Sequence, residues 1–173
     1  MNDAVVDPAV VDPVFVTAPA PLHGVLGLGT DLVEVERMRR ALDRQPGLRT
    51  RLFTVDEWDY AARHHDPHPH LAARFAAKEA VMKALGRGMS SMGFAEIEVT
   101  RSSAGVPAVR LSGSAATIAR ESGVTGWHLS LTHTDLMAQA VAIAVGDTTA
   151  SGDATAPDGA TALGDTSADR AEP

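Results

Sequence analysis

The segment LAARFAAKEAVMKAL, residues 71–85, constrains the fold of this chain more than any other. At 100° per residue it predicts a helix with one stripe of large apolar side chains and an opposite side of alanine. The large stripe consists of Leu71, Phe75, Met82 and Leu85, and the other side of Ala73, Ala76, Ala77, Ala80 and Ala84. Because a helix that is apolar on both sides is buried between other elements, we expect this one at the centre of the fold.

Charged residues within this apolar helix need partners, because burying an unpaired charge is costly. Glu79 and Lys83 lie four residues apart at one edge of the large stripe, and Arg74 and Lys78 lie along the other edge. These two lysines are the only ones among 15 basic residues, and lysine is a compact charge that suits a phosphate oxygen. Two interpretations stay open at this point: an i, i+4 ion pair on a partly exposed helix, or a site for a phosphate group.

The composition is that of one globular domain between two tails. The chain has 173 residues, 45% of them hydrophobic. Residues 1–22 hold three acids and no base, and residues 147–173 hold six acids and one base, so the formal charge of -7 belongs to the ends. We expect both tails to be disordered and residues 23–146, with 13 acids and 14 bases, to form the domain. Its nearly neutral charge argues against nucleic-acid binding.

The sequence predicts a cytoplasmic protein without a membrane partner. Cysteine is absent, which excludes disulfides and thiolate metal sites and fits a reducing compartment. No apolar run approaches the roughly 20 residues that a membrane helix needs. The N-terminal stretch is interrupted by Asp and Pro and has no basic segment, unlike a secretory signal.

The pattern around the central helix predicts an α+β fold with a small antiparallel sheet packed against helices. The expected elements are a glycine-rich strand at 24–30, helices at 32–44, 54–65 and 113–122, and strands at 94–101, 127–133 and 137–145. A turn at 104–107 is expected to lead into a short strand that ends at Leu111. Thr54 and Glu57 form a capping box at the start of the second helix. The last two strands are expected to pair antiparallel through the turn at Thr134.

Asp31 follows the glycine-rich strand and precedes the first predicted helix. It is either the N-cap of that helix or an oxygen ligand of a hard cation. Together with Glu79 it would supply the one or two carboxylates by which proteins usually hold Mg²⁺, while Arg74, Lys78 and Lys83 would neutralise phosphates. This combination suits phosphoryl transfer from a diphosphate.

The histidines at 64–70, and the pair formed by Ser130 and His133, each have two competing explanations. His64, His65, His68 and His70 could bind a soft metal, but their interleaving with Asp66 and prolines favours a solvated loop. Ser130 and His133 could suggest a hydrolase pair, although no nucleophile-elbow motif surrounds the serine. By strand parity His133 shares a face with Trp127, so it is either a packed residue or one that faces a phosphate from the strand end.

Five blocks occur here in a familiar order: GLGTDLVEVERM, LFTVDEW, RFAAKEAVMKALGRG, AGVP and WHLSLTHT. Together they resemble the short holo-(acyl-carrier-protein) synthases of the 4′-phosphopantetheinyl transferase superfamily, over roughly Gly24 to Val145. The resemblance implies the fold of that superfamily and transfer of the phosphopantetheine arm of coenzyme A to a serine of an apo acyl carrier protein, with release of adenosine 3′,5′-bisphosphate. It also implies a homotrimer with active sites between subunits.

The resemblance assigns roles to particular positions. It implies that Asp31 and Glu79 are Mg²⁺ ligands and that these two residues and Lys83, on the pyrophosphate, are the catalytic group. The coenzyme A-binding positions that it implies are Arg74, Lys78, Lys83, Gly105, Pro107 and His133, with Arg74 and His133 near the 3′-phosphate and the Gly105 turn along the adenine nucleotide. Thr30 and Thr132 depart from the usual residues at their positions, and neither departure removes a charge.

A row of arginines follows Asp31. Arg37, Arg40 and Arg44 fall on one face of the first predicted helix. They are either a solvated basic face or, as the resemblance implies for Arg37 above all, a docking surface for an acidic carrier protein.

Two other functions remain alternatives to the transferase. One is a Mg²⁺-dependent phosphohydrolase that uses the same acids on another nucleotide. The other is a carrier-protein-binding module without catalysis, against which the presence of Asp31, Glu79 and Lys83 argues.

Overall fold

The computed structural model describes residues 24–88, 90–102 and 104–147. The predicted tails lie outside these residues, apart from Asp147. The strands are β1 Val25–Glu34, β2 Ile97–Arg101, β3 Pro107–Leu111, β4 Val124–His133 and β5 Met137–Gly146. The helices are α1 Val35–Arg44, α2 Leu48–Leu52, α3 Val55–Ala62, α4 His68–Ala84 and α5 Gly113–Glu121, with a 3₁₀ turn at Phe94–Glu96. Within the described residues, no helix combines the length and apolarity that crossing a membrane requires.

The sheet topology places three long strands beside one hairpin. β5 lies between β1 and β4, and both pairings are antiparallel. Ala140 in the middle of β5 stands opposite Asp31 of β1 on one side and Leu131 of β4 on the other. β2 and β3 form a separate two-stranded hairpin, whose turn contains Gly105 with φ +80°. The α+β fold predicted from the sequence is therefore confirmed.

The central helix α4 packs along one face of the three-stranded sheet. Its alanines and the alternate alanines of β5 are buried against each other. The backbones approach so closely at β1 that a Cβ on Gly29 would lie 2.0 Å from the Ala80 carbonyl oxygen. The predicted burial of α4 between other elements is thus confirmed, and the glycine-rich strand is the reason that the helix can approach it.

The other face of the sheet carries exposed apolar side chains in this single chain. Leu28 and Leu32 of β1 are 58% and 59% exposed. Leu28 stands opposite Ile143 of β5, so the apolar area extends onto the central strand. Large exposed apolar areas of this kind are typical of surfaces that contact another protein.

The boundary between β1 and α1 differs from the prediction. β1 continues to Glu34 because Leu32, Val33 and Glu34 pair with β5, and α1 begins only at Val35. Asp31 therefore lies inside a strand, and the interpretation of Asp31 as a helix N-cap is wrong. Pairing with a strand about a hundred residues later along the chain decides this boundary.

Two further boundaries were also wrong. α4 begins at His68 instead of 71, because the Asp66 carboxylate accepts the His68 N–H at 3.0 Å and proline fits the first helical turn. His68 and His70 thus belong to a helix and not to a solvated loop. Residues 94–96 form a 3₁₀ turn before β2, where a strand was expected.

Candidate active site

Lys83 of α4 and Asp31 of β1 form an ion pair at the centre of the candidate site. The Lys83 Nζ lies 2.8 Å from the Asp31 Oδ1 and also donates to the Thr30 carbonyl oxygen at 2.9 Å. Asp31 follows Gly29 on the face of β1 that is turned toward α4, and its side chain is only 17% exposed. Lys83 therefore pairs with Asp31 of a different element, and not with Glu79 on its own helix.

Glu79 stands one helical turn before Lys83 and is half-buried. Burial raises the pKa of its carboxyl group, and the negative charge of Asp31 raises it further, while Lys83 opposes both. Two carboxyl groups that repel each other across a partly dry gap form a good site for a divalent cation, because the cation removes the repulsion. Asp31 and Glu79 are hard oxygen donors, and two carboxylates plus substrate phosphates are a typical Mg²⁺ set.

No three His, Asp or Glu side chains come together as a metal cage in the described residues. A site with only two protein carboxylates would take its remaining metal ligands from substrate and water. The donor set at Asp31 and Glu79 therefore fits Mg²⁺ better than a soft metal.

A cavity of about 900 Å³ opens beside the two acids. Its polar lining includes Asp31, Glu79, Arg37 and Arg51. The apolar part of its wall includes Met38, Leu52, Phe75, Met92 and Phe94. A cavity with apolar walls and a few charged groups suits a ligand that has both an apolar and a charged part.

Lys78 requires a correction. Its side chain has no exposed surface, and its Nζ donates to the Glu57 Oε2 at 2.6 Å and to the Phe94 carbonyl oxygen at 3.0 Å. Burial lowers the pKa of Lys78, while the charge of Glu57 opposes that shift. Both of these hydrogen bonds point into the protein, so Lys78 holds α4 to its neighbours. Contrary to the expectation from the sequence, Lys78 does not reach a phosphate.

Glu57 completes this buried pair. Its Oε1 accepts the Val99 N–H of β2 at 2.9 Å, and its Oε2 also accepts the Thr54 N–H. The Thr54 hydroxyl accepts the Glu57 N–H in return, so the predicted capping box is confirmed. The same carboxylate therefore caps α3 and joins it to α4 and β2.

Arg74 and His133 belong to a second cluster, on the other side of α4 from Glu79. The Arg74 guanidinium lies 4.0 Å from the centre of the Tyr60 ring. Arg74 is 4% exposed, and its Nε has no hydrogen-bond partner among the described residues. Burial lowers the pKa of Arg74. A buried guanidinium N–H without an acceptor indicates a place for an anion, because such a donor is costly to leave unpaired.

The Gly105 turn joins this second cluster through Arg101. The Arg101 Nη1 donates to the Gly105 carbonyl oxygen at 2.8 Å, and Pro107 pairs with Arg101 in the β2–β3 hairpin. The guanidinium of Arg101 lies 5.1 Å from the Tyr60 ring centre. Arg74, Arg101 and Tyr60 line one cavity of about 290 Å³.

The structure therefore separates the predicted site residues into two groups. Asp31, Glu79 and Lys83 lie at one edge of the sheet, on β1 and the neighbouring side of α4. His133 lies on β4 at the other edge, with β5 between. The two cavities beside these groups share no lining residue. One chain thus contributes two part-sites that do not meet within it.

The serine and the histidine of the suggested hydrolase pair lie on opposite faces of the sheet. Ser130 stands opposite Val141 on the outer face of the sheet, whereas His133 stands opposite Ala138 on the face toward α4. Successive residues of a strand point to opposite faces, so these two side chains point away from each other. The hydrolase interpretation is wrong for this pair.

Arg37, Arg40 and Arg44 of α1 are exposed, and they differ in their neighbours. Arg37 lines the cavity next to Asp31, and the Arg40 Nη2 lies 3.7 Å from the Glu34 carboxylate. Arg51 of α2 lines the same cavity as Arg37. Arg51 was not among the predicted site residues, because no local pattern predicts that α2 folds back to bring it there.

His64, His70 and Tyr60 were not predicted as site residues. His70 brings them to the second cluster, since its ring lies 3.7 Å from that of His64 and 4.8 Å from that of His133, between centres. The HHDPHPH segment drew attention to these histidines in the sequence. Where their side chains lie depends on the start of α4 at His68, which the sequence did not predict.

Comparison with known proteins agrees with this geometry. A sequence model of the 4′-phosphopantetheinyl transferase superfamily matches residues 27–145. The chain is 49% identical over 123 residues to the holo-(acyl-carrier-protein) synthase of Desulforudis audaxviator, covering 70% of this chain and 94% of that protein. It is 46% identical over 120 residues to the enzyme of the same name from Beutenbergia cavernae, covering 69% and 97%.

A solved structure has the same fold. The Chronobacterium ammoniagenes ACPS–CoA complex superimposes with a TM-score of 0.62 at 28% identity, covering 70% of this chain and 97% of the other. The family match spans more than half of the chain and includes Asp31, Glu79, Lys83, Arg74 and His133. The chain therefore belongs to the 4′-phosphopantetheinyl transferase superfamily.

Proposed function

We propose that this protein is a holo-(acyl-carrier-protein) synthase, which transfers the 4′-phosphopantetheine arm of coenzyme A to a serine of an apo acyl carrier protein. The convergence of Asp31, Glu79 and Lys83 beside a cavity of about 900 Å³ carries this proposal. The charged groups of this cavity suit a diphosphate, and its apolar walls suit the arm attached to it. The names of the relatives and the complex with coenzyme A support the same reaction.

Asp31 and Glu79 would hold Mg²⁺. When bound, Mg²⁺ supplies positive charge against the oxygens of the diphosphate. Lys83 is the basic residue nearest to these acids, and its ammonium group would leave Asp31 to bind a diphosphate oxygen. The close contact between β1 and α4 fixes the backbones that carry Asp31 and Glu79, so these two acids need little reorganisation when substrate arrives.

In the proposed step, the carrier serine oxygen forms a bond to the β-phosphorus of coenzyme A. The bond from that phosphorus to the bridging oxygen breaks, and adenosine 3′,5′-bisphosphate leaves. The serine proton would pass to Glu79 or to a water molecule at the site, and both are candidate general bases. Lys83 neutralises the charge that develops on the diphosphate.

The homotrimer with active sites between subunits is part of this proposal. The group at Asp31 and the group at Arg74 and His133 do not meet in one chain, so a second copy would supply the missing part. The exposed leucines on the outer face of the sheet give an apolar surface for that contact. In such an assembly Arg74, His133, Gly105 and Pro107 of one subunit would bind the nucleotide end of coenzyme A.

We place the carrier protein on α1. Arg37, Arg40 and Arg44 are exposed, and Arg37 stands at the cavity that holds the acids. An acidic partner docked there would bring its serine to the reacting phosphorus. The cytoplasm, where carrier proteins and coenzyme A meet, is the location that we propose.

Incubation of the protein with coenzyme A, Mg²⁺ and several apo carrier proteins tests this function by intact mass. Transfer adds the mass of one phosphopantetheine arm, and Glu79→Gln should lose most of the rate, on the order of 10²–10⁴-fold. Consumption of coenzyme A without a carrier protein would favour a phosphohydrolase instead. Binding of carrier protein without any transfer would favour a non-catalytic module.

A further inference from the structure

Three histidine rings from three different parts of the chain lie next to one another in one row. His64 follows α3, His70 lies in the first turns of α4, and His133 ends β4. The ring centres of His64 and His70 are 3.7 Å apart, and those of His70 and His133 are 4.8 Å apart. His64 also lies 5.0 Å from the Tyr60 ring, and its Nδ1 is 3.1 Å from the Tyr60 carbonyl oxygen.

The groups that face this row are mostly cationic. Arg74 from α4 and Arg101 from β2 lie over the same Tyr60 ring, and the Arg74 Nε has no partner in the described part of the chain. The acids nearest to the row are either paired with other residues or line the adjoining cavity. Asp66 binds Arg39 and His68 at the start of α4, while Asp56, Asp59 and Glu98 line the cavity together with Arg63 and Arg110.

We propose that His64 and His70 extend the anion site of Arg74 and His133, and that the row takes up a proton when a phosphate monoester binds there. The ligand is a nucleotide phosphate of the kind carried by adenosine 3′,5′-bisphosphate. This inference rests on the proposed function, and it adds residues that the sequence motifs did not include.

The physical reason is the mutual repulsion of the basic groups. Burial lowers the pKa of His70 to about 4, and the charges of His64, His133, Arg74 and Arg101 add to that shift. Neutral histidine rings avoid this repulsion. A phosphate dianion beside Arg74 reverses the balance, because it offsets the cations and makes a protonated histidine favourable. Binding and protonation are then linked.

Calorimetry can count the protons. Adenosine 3′,5′-bisphosphate is titrated into the full-length protein at pH 7 in two buffers that differ in ionisation enthalpy. We expect the protein to take up protons on binding, so affinity should rise as the pH falls, by about tenfold per pH unit at most for one proton. The phosphate itself tends to lose its proton when bound, so the comparison with variants is the decisive part.

His70→Phe keeps an aromatic ring in the row and removes its titration. We expect it to bind the nucleotide with the proton uptake lost or clearly reduced. His65→Gln is the matched control, because His65 is an exposed histidine beside the row in the sequence but is not one of its three rings. Equal proton uptake in the wild type and in His70→Phe would overturn the inference.

A second measurement keeps the test valid if the variant folds poorly. The carbon-bound ring protons of the wild-type histidines are followed by NMR across pH with and without the nucleotide. We expect the titration of His70 to move to higher pH with ligand, and an unchanged curve would refute the linkage. Phosphopantetheine transfer is assayed separately, so a histidine row without linkage leaves the proposed function standing.

Discussion

The Lys83 ammonium group lies 2.8 Å from the Asp31 carboxylate, which is also one of the two proposed metal ligands. In the proposed site, a divalent cation would therefore compete with Lys83 for this carboxylate, and a displaced Lys83 would become free for the diphosphate. Lys83 is 50% exposed, so this competition is modest in energy. It still gives Lys83 two roles, since the residue neutralises Asp31 in the absence of substrate and the substrate phosphates in its presence.

Lys83→Met should therefore bind a divalent ion more tightly and transfer phosphopantetheine more slowly. The gain at Asp31 is about 1 kcal/mol or less, which corresponds to a few-fold tighter binding. Mn²⁺ titrated into the protein without coenzyme A, with free Mn²⁺ read by electron paramagnetic resonance, measures the affinity directly. Asp31→Asn is the control that should lose Mn²⁺ binding, and equal affinity in wild type and Lys83→Met would refute the competition.

The raised pKa of Glu79 predicts how stability depends on pH. A carboxyl group whose pKa is higher in the folded than in the unfolded state holds its proton more tightly in the fold. Stability is then lost as pH rises from the unfolded pKa through the folded pKa. Glu79→Gln removes this loss, so in EDTA it should raise the melting temperature at pH 7, and the gain should vanish by pH 4.

Thermal unfolding of both proteins across this pH range checks the sign. A constant difference at every pH would mean that Glu79 acts through packing and not through its charge. Adding Mg²⁺ at pH 7 should stabilise the wild type more than Glu79→Gln, because only the wild type keeps both carboxylates.

The buried pair of Lys78 and Glu57 should contribute to stability far more than the exposed pair of Lys83 and Asp31. Lys78→Met leaves a buried carboxylate without its cation, which costs about 3–5 kcal/mol. Lys78→Met combined with Glu57→Gln removes both charges and should recover part of that loss. Urea unfolding measures the three free energies, with Lys83→Met as the matched lysine variant, whose cost should stay below about 1 kcal/mol.

Local sequence patterns correctly predicted those features that depend on residues close together along the chain. The two residues of the Thr54–Glu57 capping box are only three positions apart, and the burial of α4 follows from its own periodicity. The role of Lys78 could not be predicted in this way, because its partner Glu57 is 21 residues earlier in a different helix. The strand position of Asp31 was missed because pairing with β5, far along the chain, extends β1 past the point where helical periodicity begins.

The apolar outer face of the sheet predicts assembly. Leu28→Glu places a charge opposite Ile143 and should convert the proposed trimer into monomers that keep their circular dichroism. Because the two part-sites would then separate, transfer activity should fall with the trimer. Light scattering after size-exclusion chromatography measures the mass. Val55→Glu, at a 72% exposed position at the start of α3, is the control that should stay trimeric.

Arg37 should govern the encounter with the carrier protein more than the chemical step. It is exposed, and it lines the cavity next to Asp31 and Glu79. Arg37→Glu reverses a charge that attracts an acidic partner, so KM for the carrier protein should rise about tenfold, equivalent to ~1.4 kcal/mol, with little change in kcat. Initial rates at increasing NaCl separate this effect from damage to the site, because screening should shrink the difference between variant and wild type. Arg120→Glu, an exposed arginine of α5, gives the same change in net charge away from α1 and should leave KM unchanged. If both reversals raised KM equally, overall charge and not the α1 surface would attract the carrier protein.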